Sequence, residues 1–164
     1  YACFCRSESL VRFLVEKGVN INAIKDGKNV LMIACSHSDN LSMVEFLVKK
    51  GVNVNYNSDS SALTIACLEQ NVEIAKYLLH NGANPYFEHN GVSSLNCAIA
   101  NQSYKLTEEL FSKEVEINEN TVGSYITNIN PTFFKYLIKR NKNKSKSKIK
   151  NKCKKVIKLY KIRK

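Results

Sequence analysis

The side chains able to do chemistry on their own include six cysteines and three histidines, and their spacing decides whether they could act together. A structural zinc site needs two ligand pairs at short spacing, and a thiol nucleophile needs a base beside it. Cys3-x-Cys5 is the one close cysteine pair; no Cys-x-x-Cys occurs, no second pair completes a zinc set, and Cys153 stands alone in a run of lysines. His37, His80 and His89 lie apart with no partner motif, and no paired-carboxylate pattern is visible. The glycines are spread singly rather than clustered into a phosphate-cradling loop. No metal, cofactor or catalytic constellation is read from these residues, so a non-enzymatic chain is expected.

What positions them is a repeat. Gly18-Val19-Asn20-Ile21-Asn22 returns as Gly51-Val52-Asn53-Val54-Asn55, as Gly82-Ala83-Asn84-Pro85-Tyr86 and more weakly as Glu114-Val115-Glu116-Ile117-Asn118, at spacings of 33, 31 and 32 residues. A second phrase keeps the period in fixed phase: Leu31-Met32-Ile33-Ala34, Leu63-Thr64-Ile65-Ala66 and Leu95-Asn96-Cys97-Ala98. Between them lie apolar residues at helical spacing: Leu10, Val11, Phe13, Leu14 and Val15; Met43, Val44, Phe46, Leu47 and Val48; Ile74, Ala75, Tyr77, Leu78 and Leu79. A glycine follows each run by three residues, where it would cap the helix in the left-handed conformation. Each unit therefore reads as a short helix A, a longer helix B and a polar loop. One such pair cannot bury its own apolar faces, whereas stacked copies share a continuous core. Cys3, Cys35 and Cys67 share one repeat position after the helix A alanine and Cys97 replaces an isoleucine, so all four read as core; their helices, roughly 8–10 Å apart, are too distant for a bridge.

The period near 33 residues, the Gly-x-[Asn/Ser]-x-Leu-x-x-Ala phrase and the Leu-[Val/Leu]-x-x-Gly-[Val/Ala]-Asn helix end resemble the ankyrin repeat over roughly residues 1–141. The fold so implied is an all-α solenoid of stacked helix-turn-helix units with β-hairpin-like finger loops. Its units are expected at 1–22 (partial), 23–55, 56–87, 88–118 and a degenerate cap at 119–141, followed by a lysine-rich tail at 142–164. The family's Thr-Pro-Leu-His phrase reads Asn29-Val30-Leu31-Met32, Ser61-Ala62-Leu63-Thr64 and Ser93-Ser94-Leu95-Asn96, so Pro and His are lost. Asn29, Ser61 and Ser93 are expected to substitute in part for the missing hydrogen bonds, with modest stability. In the cap, the loop shrinks to about Glu119-Asn120-Thr121, Pro131 fits the first turn of helix B, and Asn141 takes the place of the capping glycine. Ala2 falls on the position of Ala34, so the chain is expected to begin inside helix A of a longer protein's repeat; Tyr1 in place of Met agrees.

The resemblance implies a recognition module that uses the finger loops and the exposed edge of helix A as a concave surface for a protein partner. Carried onto this sequence, those positions are Phe4 and Cys5; Lys25, Asp26, Lys28, Ser36 and His37; Asn57, Ser58, Ser60, Leu68 and Glu69; and Phe87, His89, Asn90, Val92, Ala100 and Asn101. Tyr56, Tyr86 and Phe87 are candidate aromatic anchors, or else covers for the helices beneath.

The second signal is charge. The 164 residues carry a net charge of +11, yet Lys139 to Lys164 hold fourteen Lys or Arg and no acid, leaving residues 1–138 at −3. Lys142, Lys144, Lys146, Lys148, Lys150, Lys152 and Lys154 alternate with Asn, Ser and Ile or precede Cys153, and Lys155 follows. Self-repulsion keeps such a run disordered until an anion neutralises it. Beyond, Ile149, Cys153, Val156, Ile157 and Tyr160 form one stripe of a possible amphipathic helix. Nucleic acid, an acidic membrane surface and a nuclear import receptor all fit this tail, as does plain solubilisation.

The composition, 44% hydrophobic and 24% charged with six Gly and two Pro, is globular. Its longest apolar runs, such as Val30 to Cys35, fall well short of the roughly 20 residues a membrane-spanning helix needs. With no signal peptide and cysteines placed as reduced core residues, a monomeric intracellular protein, cytoplasmic or nuclear, is expected.

Overall fold

The computed structural model describes residues 7–37, 40–115 and 130–140. The expectations for Ala2, Cys3, Phe4, Cys5, the loop at 119–121, Asn141 and the lysine tail with Cys153 lie outside these residues. Eight helices and one hairpin are described, in the order α1 (Glu8–Glu16), α2 (Val30–Cys35), α3 (Leu41–Lys49), α4 (Ala62–Leu68), α5 (Val72–His80), β1 (Glu88–His89), β2 (Val92–Ser93), α6 (Ser94–Ala100), α7 (Tyr104–Ser112) and α8 (Pro131–Arg140). The short helices α2, α4 and α6 pack on one another as one row, while α3, α5 and α7 form the second; each short helix also packs on the long one that follows it. This is the expected solenoid, with helix A of six or seven residues and helix B of nine.

Local chemistry starts each short helix. Asn29, Ser61 and Ser93 are extended residues whose side-chain oxygens accept from the backbone N–H of Met32, Thr64 and Asn96 at 2.9, 3.1 and 3.2 Å. Each thus satisfies one of the amides a helix start leaves unpaired, a bond whose loss costs about 1 kcal/mol. Two of these sites also tie neighbouring units together. The Asn29 amide donates to the Asn53 carbonyl at 3.2 Å, and Thr64 Oγ1 lies 2.9 Å from Ser61 Oγ and 3.3 Å from Ser94 Oγ of the next unit.

The long helices end as their glycines dictate. Gly18, Gly51 and Gly82 have φ of +82°, +84° and +81°, and the next residue's N–H turns back onto Leu14, Leu47 and Leu78 at 3.1, 3.1 and 2.9 Å. The fourth unit makes the same turn without glycine: Glu114 sits at φ +62° and Val115 N–H reaches the Leu110 carbonyl at 3.2 Å. Two short helices end likewise, on Gln70 (φ +59°) and Gln102 (φ +52°), with Asn71 and Ser103 N–H bonded back to Ala66 and Ala98.

The core is the repeated phrase. Leu31, Leu63 and Leu95, then Ala34, Ala66 and Ala98, are buried between the rows with Val44, Leu47, Ile74, Leu78, Leu106 and Leu110. Each fully buried Leu or Ile contributes about 1.5–3 kcal/mol relative to leaving it exposed. Cys35, Cys67 and Cys97 are buried, none of them in a disulfide bond, as their repeat positions require. At the end of the described stack, Tyr104 on α7 meets Phe133 on α8 edge-on at 4.6 Å and Tyr136 at 4.9 Å. The Arg140 guanidinium grips the Glu108 carboxylate, holding that carboxyl below its ordinary range. Pro131 opens α8, where its missing N–H costs nothing.

Candidate partner-binding face

Two of the three fingers are two-residue hairpins set by their tips. Asp26 and Gly27 have φ of +50° and +70°, and Lys25 and Lys28 exchange both backbone hydrogen bonds across them at 3.0 and 2.9 Å. Asn90 and Gly91, at +50° and +76°, join β1 to β2 with Glu88 opposite Ser93 and His89 opposite Val92. Positive φ at both central residues is the type I′ turn, which Asp-Gly and Asn-Gly favour because it matches strand twist. The middle finger lacks such a pair and is one residue shorter between its glycine and its helix cap. Asn57 pairs with Ser61, and Ser58 N–H closes onto the Ser60 carbonyl at 3.1 Å.

The fingers are stitched to each other. Ser58 Oγ donates to the Gly27 carbonyl at 2.7 Å, and the half-buried Tyr56 hydroxyl reaches the same oxygen at 3.4 Å. On the other side His89 Nε2 lies 3.6 Å from Asp59 Oδ1, an ion pair whenever the imidazole is protonated. At the helix A edge the Asn101 amide donates to the Leu68 carbonyl at 2.8 Å and to the Cys67 carbonyl at 3.3 Å, joining the ends of α6 and α4. Ser36 and His37 instead turn back on their own helix, both against the Ile33 carbonyl.

At the loop bases a ladder of asparagines runs from unit to unit. Asn22 Oδ1 accepts the Asn53 N–H and Asn55 Oδ1 accepts the Asn84 N–H, each at 2.7 Å, and the Asn55 amide also donates to the Gly82 carbonyl at 2.9 Å. Tyr86 holds the next rung position, and its hydroxyl donates to the Lys113 carbonyl at 2.8 Å.

These bonds sort the expected surface residues. Tyr56, Ser58 and Asn101 join one unit to the next, and Phe87, ahead of β1, and Val92, on β2, are half-buried. Lys25, Asp26, Lys28, Asn57, Leu68, Glu69 and Asn90 are exposed; Ser60 and His89 are half-buried. Leu68 leaves 55% of its surface in water and Tyr86 leaves 62% despite its tethered hydroxyl. Ala100 is exposed beside Asn101. Asp59 and Glu88 were missing from the expected set; Asp59 occupies the register of Gly27 and Gly91, which would have placed it at a fingertip. The asparagine rungs were also missed as latches, although the recurrence of Asn22 as Asn55 in the first two glycine phrases was the available signal.

Neither Cys67 nor Cys97 is set up as a nucleophile. Burial pushes Cys97 up to about 11, and burial with the neighbouring Cys97 pushes Cys67 up to about 12, so neither is a thiolate near neutral pH. Among the described residues no group of three His, Cys, Asp or Glu is arranged to hold a metal ion. No described helix is long and apolar enough to cross a membrane.

Comparison with known proteins agrees with this geometry. A family model described as ankyrin repeats in three copies matches residues 1–58 and 56–121. The ankyrin repeat and KH domain-containing protein mask-1 of Caenorhabditis elegans is 35% identical over 78 residues, covering 46% of this chain and 3% of that protein. The chain thus corresponds in length to a small part of this relative. Ankyrin repeats are in general protein–protein interaction modules, and this chain belongs to the ankyrin-repeat family.

Proposed function

We propose that the chain is a non-catalytic adaptor that docks one partner protein across its fingertips and the ends of its short helices. The observation that carries this is the division of labour on that face. Side-chain bonds already tie the first finger to the second and the end of α6 to that of α4, while Leu68, Glu69, Asp26 and Asn90 remain exposed. Groups already held by internal bonds lose little conformational freedom on binding, and Leu68 and Tyr86 each expose apolar surface that a partner could cover. The partner is an unidentified protein, the chain acts as a monomer, and the compartment is intracellular, cytoplasmic or nuclear. The test is capture from lysate by Tyr86→Ala/Phe87→Ala: loss of the partner with circular dichroism unchanged supports the reading, and undiminished capture by the folded double variant sinks it.

A second reading rests on the fourteen basic residues after Ile138. In it the tail supplies affinity for nucleic acid, an import receptor or an acidic membrane, and the repeats act as a spacer. Neutralising about six to ten phosphates would make log affinity for a nucleic acid fall with log salt at a slope of about −5 to −9. A flat salt dependence removes the nucleic-acid form of this reading.

A further inference from the structure

The sequence contains two Asn-Gly dipeptides, Asn81-Gly82 and Asn90-Gly91, and the fold treats them differently. Glycine leaves its own backbone nitrogen sterically open, so in either pair that nitrogen could attack the asparagine side-chain carbonyl. Attack requires the asparagine backbone and side chain to swing out of their native angles, so the local cost of opening decides the rate.

Asn81 is pinned. Its N–H bonds to the Tyr77 and Leu78 carbonyls at 3.0 and 3.1 Å, its side-chain amide donates to Tyr77 at 2.8 Å, and the following Ala83 is buried with its N–H on Leu78 at 2.9 Å. Releasing it means unravelling the end of a nine-residue helix packed into the core. Asn90 sits instead at an exposed tip, at φ +50°, between two strands of two residues each. So short a hairpin is marginally stable by itself and lies at the low end of local unfolding.

We propose that Asn90 is a spontaneous deamidation site that changes the third finger with time, and that Asn81 is protected by the fold. The Gly91 nitrogen bonds to Asn90 Cγ as the Cγ–Nδ2 bond breaks, and ammonia departs carrying the Gly91 amide proton. Water then opens the resulting succinimide and returns a proton to the Gly91 nitrogen. Opening at the side-chain carbonyl leaves aspartate in normal linkage; opening at the main-chain carbonyl leaves isoaspartate. Both products add a negative charge beside Glu88 and the Asp59–His89 pair. Isoaspartate also inserts a methylene into a two-residue turn that has no room for it, which breaks the pairing of Glu88 with Ser93 and His89 with Val92.

The experiment incubates the full chain at mildly alkaline pH, folded and in denaturant, then maps peptides by mass spectrometry and detects isoaspartate by enzymatic methylation. In the folded chain Asn90 should convert about tenfold or more faster than Asn81, while in denaturant the two convert at similar rates. The variant Asn90→Ser should lose the isoaspartate signal of the folded chain. Conversion at Asn81 as fast as at Asn90 in the folded chain, or no conversion at Asn90 while the denatured chain reacts, overturns the proposal.

Discussion

The Tyr86 hydroxyl donates to the Lys113 carbonyl at 2.8 Å, crossing from the third unit to the fourth at the register position where Asn22 and Asn55 make the same kind of reach. Tyr86 is thus a rung of the ladder as well as an exposed ring. Tyr86→Phe keeps the ring and removes the bond, so it should lower unfolding free energy by about 0.5–1 kcal/mol while leaving partner capture intact. Denaturant titration beside a capture assay checks both parts; a loss of capture without loss of stability would give the hydroxyl to the partner.

Asn55 makes two side-chain bonds to the following unit, with Asn84 N–H and the Gly82 carbonyl, whereas the Asn57 amide bonds back to Asn55 two residues away. Asn55→Ala should therefore cost about 1–2 kcal/mol and speed hydrogen exchange at the Asn84 amide, and Asn57→Ala should do neither. Exchange measured residue by residue in the two variants separates them.

Glu114 occupies a left-handed position that glycine fills in the three preceding units. An L-residue there is strained by roughly 1–2 kcal/mol, part of which glycine returns as extra freedom in the unfolded chain. Glu114→Gly should stabilise by about 0.5–1 kcal/mol, and Gly51→Ala, at φ +84°, should destabilise by a similar or larger amount. Paired denaturation curves of the two variants check the opposite signs.

Cys67 and Cys97 keep their protons to about 12 and 11 when folded, above the ordinary thiol range they regain on unfolding. Above about pH 9 the unfolded chain loses these protons while the folded one retains them, so stability falls as pH rises toward 11, by up to ~1.4 kcal/mol per unit for each thiol. The contribution is fully present below pH 8. A Cys67→Ala/Cys97→Ala variant should show a shallower alkaline decline, read by denaturation at pH 8, 9 and 10. A decline as steep as in the parent chain would put its origin elsewhere.

The stack was legible because its signals are local and periodic: Leu and Ala at fixed phase for the core, Asn29, Ser61 and Ser93 for helix starts, glycines for helix ends. Asp26-Gly27 and Asn90-Gly91 also carried their hairpins openly. The left-handed Gln70 and Gln102 carried no such mark, since glutamine has no preference for that conformation and only the packed stack holds it there. Tyr86 looked like a free anchor because its bond partner, the Lys113 carbonyl, is a backbone group 27 residues away that no side-chain pattern reveals. Tyr56, read as anchor or cover, and Ser58, read as a partner contact, both meet the Gly27 carbonyl of the neighbouring finger, again a backbone group that no side-chain pattern reveals.

Whether the exposed face of fingers and short helices, and not the lysine tail, selects the partner is tested by capture from nuclease-treated lysate with three full-length chains, identifying bound proteins by mass spectrometry. These are the parent, a face variant (Leu68→Arg/Glu69→Arg/Asn90→Arg), and a tail variant with Lys142, Lys144, Lys146, Lys148, Lys150, Lys152, Lys154 and Lys155 changed to Gln. The expected result is one protein shared by the parent and the tail variant and lost from the face variant, whose helical signal stays unchanged. Capture that survives the face substitutions and disappears with the tail charges would contradict it.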